Sequence, residues 1–400
     1  MAQNAQRVFV VQDTVPPWIS LLVVVTIFML SPITTRIAFV RDASVHLMKR
    51  LMGKTAPRLK NTVNILWISQ DQRGLTRNTQ MSMDALTSAL IPINLDTPAI
   101  THRLNRPVTL HHVNVDQIPQ QISESGKPFH IGFLLWELEE LPKSHVKAGK
   151  LLNDVWVPSN YVQRIYQSTY RCNVVNMGKG IDLPDVRAMH LNGYGITPDH
   201  HVVLMCFDAR SSVERKNPLG AVLAFLAAFP TDKTARFILK TTSVEPSHWG
   251  DPNKQMDAIR GLASKNRRII IDDRMLPFVE LLSLIKRADC VVSSHRVEGF
   301  GYIPAYALWF ARPVIATDFS GTVDFCTAQT SHPVPYRLIP TRTGETICSI
   351  ENAYWADVDI EVLVNTLQHV RANPQLAQIK ALSGQRLIRT RYSIAAQAKR

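Results

Sequence analysis

Glu298-Gly-Phe-Gly301 follows a short apolar run, Cys290 to Ser293, and opens a stretch of helical pattern from Tyr302 to Phe310. Gly299 and Gly301 let backbone N–H groups approach a ligand closely, and the free N–H groups and positive dipole end of the following helix favour an anion. A carboxylate beside such a turn is unfavourable unless it accepts hydrogen bonds from something else, such as sugar hydroxyls, so Glu298 separates this loop from an ordinary strand-to-helix turn. A second chemically loaded stretch, Phe207-Asp-Ala-Arg-Ser-Ser-Val-Glu-Arg-Lys-Asn-Pro218, takes a strand into a basic loop and then a helix.

Other residue types carry less. The His111-His112 pair has no metal-ligand spacing around it and suits a structural role at a strand end. Trp67, Trp136 and Trp156 sit in or beside apolar strands and read as core. Asp272-Asp273 follows a strand and is equally consistent with magnesium or with a helix cap. Neither a G-x-S-x-G elbow nor a P-loop occurs. The five cysteines are an odd number and form no C-x-x-C pair, which argues against a disulfide framework or zinc cluster and fits a reducing compartment. No metal site is expected.

The elements that must position these residues alternate between short apolar runs and amphipathic stretches, the sign of an α/β protein with parallel sheets. Strands are expected at 63–69, 108–113, 130–135, 154–158 and 173–177, then at 202–207, 235–240, 269–272, 290–293 and 313–316. Helices are expected at 218–228, 253–265, 277–288 and 302–310. A loose stretch from Leu183 to Asp199, holding Pro184, Gly193, Gly195 and Pro198, separates the two series. The expected organisation is an N-terminal segment 1–60, a first Rossmann-like domain 61–185, a linker 186–200, a second Rossmann-like domain 201–375 and a helical tail 376–400, with the two domains facing a cleft.

The chain has 400 residues and an excess of +13 in formal charge, which points to an anionic partner: phosphate, nucleic acid or a membrane surface. From Pro16 to Thr35 no residue is charged, and Trp18 to Leu30 is a membrane-segment candidate, with a core or interfacial helix or a signal peptide as the other readings. Between 36 and 60 stand Arg36, Arg41, Lys49, Arg50, Lys54, Arg58 and Lys60 against Asp42 alone. That imbalance predicts the cytoplasmic side of an inner or plasma membrane, by a single pass or peripherally, with anionic headgroups as a partner. No nucleic-acid-reading module or basic helix is present, so nucleic acid is not expected.

Glu298-Gly-Phe-Gly, followed by Arg312-Pro-Val-Ile-Ala-Thr and by Ser320-Gly-Thr-Val-Asp-Phe, resembles the donor-binding core of glycosyltransferase family 4. His130-Ile-Gly-Phe-Leu-Leu-Trp-Glu-Leu-Glu-Glu-Leu-Pro142 and Asn153-Asp-Val-Trp-Val-Pro-Ser159 look like the strand and turns of its polysaccharide-assembly members. The likeness runs from about 61 to 395 and implies a GT-B fold, with retaining transfer of a sugar from a nucleotide-sugar donor to a glycan or lipid-linked acceptor. It also implies roles for residues. Arg210 and Lys216, six apart, match the family's diphosphate clamp, with Arg215 a competitor for the first place, and Glu298 would orient sugar hydroxyls. Gly299, Phe300, Gly301 and Tyr302 would line the donor, and Gly74, in Gln72-Arg-Gly-Leu-Thr-Arg77, stands in the family's first glycine-rich loop. Glu137 is a candidate for placing the acceptor or the reacting end of the donor, or else a surface carboxylate of an acidic cluster. The family's second glutamate, eight positions after the first, is Tyr306 here, which keeps a hydroxyl but brings no charge. A catalytically degenerate binding partner and a nucleotide-sugar epimerase are the alternatives on this fold.

Overall fold

The computed structural model describes residues 63–67, 74–89, 93–95, 108–125, 129–242, 252–341 and 353–400. The apolar run 16–35, the basic stretch 36–60, residues 72–73 and the Trp67 side chain lie outside the described residues. Among the described residues, no helix is long and apolar enough to cross a membrane.

Two parallel sheets make the frame. The first holds β1 (Val63–Trp67), β2 (Ile93–Leu95), β3 (Val108–His112), β4 (Phe129–Phe133), β5 (Asp154–Val157) and β6 (Asn173–Asn176) in the order β2-β1-β3-β4-β5-β6. The second holds β7 (His201–Cys206), β8 (Ala235–Lys240), β9 (Ile269–Asp272), β10 (Cys290–Ser293), β11 (Val314–Thr317) and β12 (His332–Val334) in the order β12-β11-β10-β7-β8-β9. β7 sits centrally between β10 and β8 and is buried along nearly its whole length, which is why Val202-Val-Leu-Met-Cys206 reads as an unbroken apolar run. The order reverses between β7 and β10, and such a switch point opens a crevice at the strands' carboxyl ends. The loops after β7 and β10 carry the two stretches rich in chemistry.

The expected strands are present to within a few residues, and β2, β12 and an antiparallel pair, β13 (Tyr336–Pro340) with β14 (Tyr354–Val358), are additional. Gly74 is not in a loop: it is the first residue of the helix Gly74–Ser88. The stretch expected as a linker is docked on the second sheet's helix Phe278–Arg287, where Met189 N donates to Ser283 O at 3.0 Å and Lys286 holds Asp185 at 2.8 Å. Val186, Leu191 and Ile196 are buried there. The crossing between halves therefore lies upstream, around Met177 to Ile181.

The chain also crosses back. The helix Pro374–Arg391 packs on the helix Tyr302–Trp309, close enough that a side chain at Gly384 would meet Leu308 and the Thr330 carbonyl. Beyond it the Tyr392 carbonyl accepts the Ile181 amide at 2.5 Å, and the helix Ile394–Ala398 lies against Gly74–Ser88 in the first half. The halves share two buried clusters. One joins Trp136, Tyr161 and Val162 to Val297, Phe319 and Trp355, and the other joins Met81 and Ile181 to Phe300, Phe325 and Tyr392.

Candidate functional site

The loop after β7 is built around two strained residues. Ser212 (φ +70°) and Asn217 (φ +53°) bracket the single helical turn Val213–Lys216. Left-handed conformations at non-glycine residues cost on the order of 1 kcal/mol each and persist only where the surroundings fix them. Here the Ser212 hydroxyl accepts the Arg215 amide at 3.3 Å, and Asn217 Oδ1 accepts the Gly220 amide at 3.3 Å, capping the helix Pro218–Ala228. The turn delivers Arg215 and Lys216 side by side to the end of β10.

There they meet Glu298. Lys216 Nζ is paired with Glu298 Oε1, and Arg215 Nη1 lies 3.3 Å from Oε2. The same Nη1 is 3.6 Å from Glu137 Oε1, in the turn after β4 of the first half, and donates to the Val297 carbonyl at 3.1 Å. Arg215 Nε and Nη2 donate to the Ser211 carbonyl at 3.3 and 3.2 Å. One guanidinium thus ties both halves to both carboxylates. Burial works to raise the Glu298 carboxyl, but the Lys216 and Arg215 cations overcome it and push it down to about 2. Burial, with Arg215 beside it, lowers Lys216. Burial also opposes the Arg215 charge, and Glu137 and Glu298 outweigh it and raise that group. The four side chains sum to zero charge, so the two cations are held ready without an external anion.

The loop itself is fixed by backbone. Gly301, at φ +93°, caps the helix Tyr302–Trp309 in a conformation that a side chain disfavours, and the Thr322 methyl fills the space a Cβ would need. The Gly321 amide donates to the Glu298 carbonyl at 2.8 Å, and the Glu298 amide donates to Ser320 Oγ at 2.8 Å. His295 is buried behind the loop with Nε2 3.2 Å from both the Phe319 carbonyl and Thr322 Oγ1, and burial lowers its pKa. On the outer side Arg296 pairs with Glu214 at 3.0 Å, lies over the Trp355 ring at 5.6 Å and accepts the Ala356 amide on its carbonyl at 3.0 Å, so β13–β14 backs the loop.

Glu298, Lys216, Arg215 and Glu137 come together, with Gly299 and Gly301 beside them. Arg210 lies in the short turn Ala209–Ser211 after β7, and its side chain is outside the described residues. Phe300 is buried against Tyr302, Phe325 and Tyr392, so only its backbone belongs to the loop surface. Tyr302 is half-buried, with its hydroxyl 3.7 Å from Met81 Sδ. Tyr306 is 4% exposed, with its ring packed against Phe278 and Tyr302. Ser159, Ser320 and Asp324 are structural participants that the motifs contained without marking, and His295 is one that lay outside them. Polar residues of these types in turns and at strand ends are too common to stand out. Among the described residues no three His, Cys, Asp or Glu side chains gather in a way that could hold a metal ion.

Ser320 gives a test of how this loop is held. It is buried at φ +67° with its hydroxyl bonded to Glu298 N and to the Phe319 carbonyl at 2.6 Å. Ser320→Gly relieves the backbone and removes the hydrogen bond, two effects of about 1 kcal/mol each and opposite sign. The expected result is a thermal midpoint within about 2 °C of wild type, with faster hydrogen exchange at the Glu298 amide. A protected Glu298 amide in the variant refutes the role given to the Ser320 hydroxyl.

No protein-family model matches the chain, and no curated protein does. Solved structures do match in fold. Sucrose-phosphate synthase from Thermosynechococcus elongatus superposes with a TM-score of 0.61 at 14% identity, covering 85% of this chain and 96% of that one. Anabaena HepE in complex with UDP-glucose gives 0.59 at 12%, covering 85% and 97%. A mutant of S. aureus TarM in complex with Fondaparinux, alpha-GlcNAc-glycerol and UDP gives 0.56 at 13%, covering 73% of this chain and 54% of TarM, so this chain spans about half of that protein. At these identities the likeness is one of fold: with its two parallel α/β sheets, this chain has the GT-B fold.

Proposed function

We propose that the chain is a retaining glycosyltransferase that moves a sugar from a nucleotide-sugar donor to a glycan or lipid-linked acceptor in polysaccharide or glycoconjugate assembly. The observation that carries this reading is Glu298 held by Lys216 and Arg215 at the mouth of a glycine loop, with Glu137 reaching Arg215 from the other half. A donor diphosphate competes with the carboxylates for the two cations. Glu298 is then released to accept hydrogen bonds from the sugar, while Arg215, Lys216 and the amides from Gly299 to Gly301 receive the charge that builds on the departing diphosphate. Arg210, six residues before Lys216, is a further cation for that purpose. Fixed cations can do this without a metal ion. The glycosidic bond breaks through an oxocarbenium-like state, the leaving phosphate takes the acceptor proton, and Glu137 positions the acceptor or the sugar's reacting end. The apolar run 16–35 and the basic stretch 36–60 attach the enzyme to a cytoplasmic membrane face, beside a lipid-linked acceptor.

UDP sugars come first among donors, because HepE was solved with UDP-glucose and TarM with UDP. A thermal-shift panel of UDP-, GDP- and ADP-sugars tests the reading: one class is expected to stabilise the protein, by about 2.7 kcal/mol at a hundredfold its dissociation constant. A flat response across the panel refutes donor binding. The buried Tyr306 favours a second reading, a donor-binding partner without turnover, and that reading is distinguished by a stabilising donor that no acceptor consumes.

A further inference from the structure

The helix Asn160–Gln167 begins at the corner where the first half meets the glycine loop of the second. Its cap, Ser159, is fully buried and accepts the Val162 amide at 3.3 Å. That leaves the hydroxyl proton, which goes across the cleft to the Gly299 carbonyl at 2.6 Å. The next free amide, Asn160 N, is taken by a carboxylate 164 residues downstream: Asp324 Oδ2 accepts it at 2.8 Å, while Oδ1 accepts Asn160 Nδ2 at 3.1 Å. Asn160 Oδ1 in turn accepts Asn176 Nδ2 at 2.8 Å, which fixes the orientation of the amide. A carboxylate at a helix start is favoured by the open N–H groups and the dipole, and here helix and carboxylate belong to different halves. Tyr161 and Phe319 add an edge-to-face contact at 5.5 Å beside it.

We propose that Ser159 and Asp324 act together as positioning residues, closing the two halves on each other so that Glu298 stands opposite Glu137. This rests on the glycosyl-transfer reading of the site. Asp324 ends the turn Ser320–Asp324, the same turn whose Ser320 hydroxyl and Gly321 amide hold the Glu298 backbone. Drawing Asp324 onto the helix end fixes that turn, and the Ser159 hydroxyl fixes the next residue, Gly299. Neither side chain touches the charge cluster. Both act by setting where its two carboxylates sit, 3.3 and 3.6 Å from one Arg215 nitrogen.

The test uses the full chain with spin labels at Leu151→Cys and Leu223→Cys, exposed positions in the first and second halves. The native closed state is expected to give one narrow distance population. Asp324→Ala or Ser159→Ala is expected to broaden it and to lower kcat about 10- to 100-fold, with the donor dissociation constant little changed because the donor contacts lie mainly on the second half. The double variant is expected to be scarcely worse than either single one, since the two act as a unit. Unchanged label distances, an unchanged kcat, or strictly additive losses each overturn the proposal. So does a lower thermal midpoint with normal kcat, which is what a purely structural role would give. Should the wild-type protein transfer no sugar at all, the glycosyl-transfer reading fails by itself, and the label distances still decide whether Ser159 and Asp324 close the halves.

Discussion

On the proposed glycosyl-transfer reading, Glu298→Gln is expected to lower sugar transfer about 10²- to 10³-fold, the order of loss when one electrostatic stabiliser of a developing charge is removed. It is also expected to destabilise the protein, and the reason is local. Glu298 is the anion that Lys216 and Arg215 share, its side chain is 15% exposed, and removing one partner of a buried ion cluster costs about 3–5 kcal/mol because the others stay buried without it. The pH dependence has a definite sign. The folded carboxyl is pushed down to about 2 from an ordinary 4.5, so its stabilisation is fully present above 4.5 and disappears as pH falls toward 2. Wild-type stability should drop through that window more steeply than the variant's. An acid unfolding curve that is the same for both proteins would show that the cluster contributes nothing to the fold.

Gly321→Ala is expected to be nearly as damaging, for a steric reason. A Cβ at 321 would lie 2.8 Å from the Glu298 carbonyl oxygen and closer still to the Gly299 carbonyl, and these are backbone atoms with no rotamer to give way. The loop must move, and displacement of a reacting constellation by about 1 Å costs about 10²-fold in rate. Overpacking adds about 1–3 kcal/mol of instability. Gly299→Ala is the control: its Cβ would meet only the Trp136 carbonyl at 3.4 Å and Val162 at 3.8 Å, so a milder loss in turnover is expected. Equal losses in the two variants would mean that the space around Gly321 is not what fixes Glu298.

The frame was legible where burial imposes a pattern. β7, β8, β10 and β11 are buried along nearly their whole length and stand out as mostly apolar runs, and the glycines and carboxylate of Glu298-Gly-Phe-Gly301 have types that few other roles need. Where pairing is long-range and side chains face water, the sequence is mute. β13 is exposed along most of its length, and its partner, β14, follows thirteen intervening residues later. β2 is three residues long. The family resemblance put Arg210 first and Arg215 as its competitor for the cation beside the loop; Arg215 is the guanidinium found on Glu298, and the Arg210 side chain lies outside the described residues. Two strained residues, Ser212 and Asn217, turn the chain at this point, and no periodicity announces a left-handed serine. Ser159 and Asp324 are least legible of all, because each is meaningful only through a partner more than a hundred residues away.

The return of the carboxyl-terminal helix to the first half means that two segments bridge the halves side by side, pinned to each other where Ile181 meets Tyr392. A single tether would let one body swivel freely about it. Two adjacent tethers act like the leaves of a door hinge: bending about the line through them stays easy, while twisting and sliding are resisted. Movement of one half against the other is thereby reduced to one rotational coordinate, and the second leaf does not exist until synthesis of the chain has passed Tyr392.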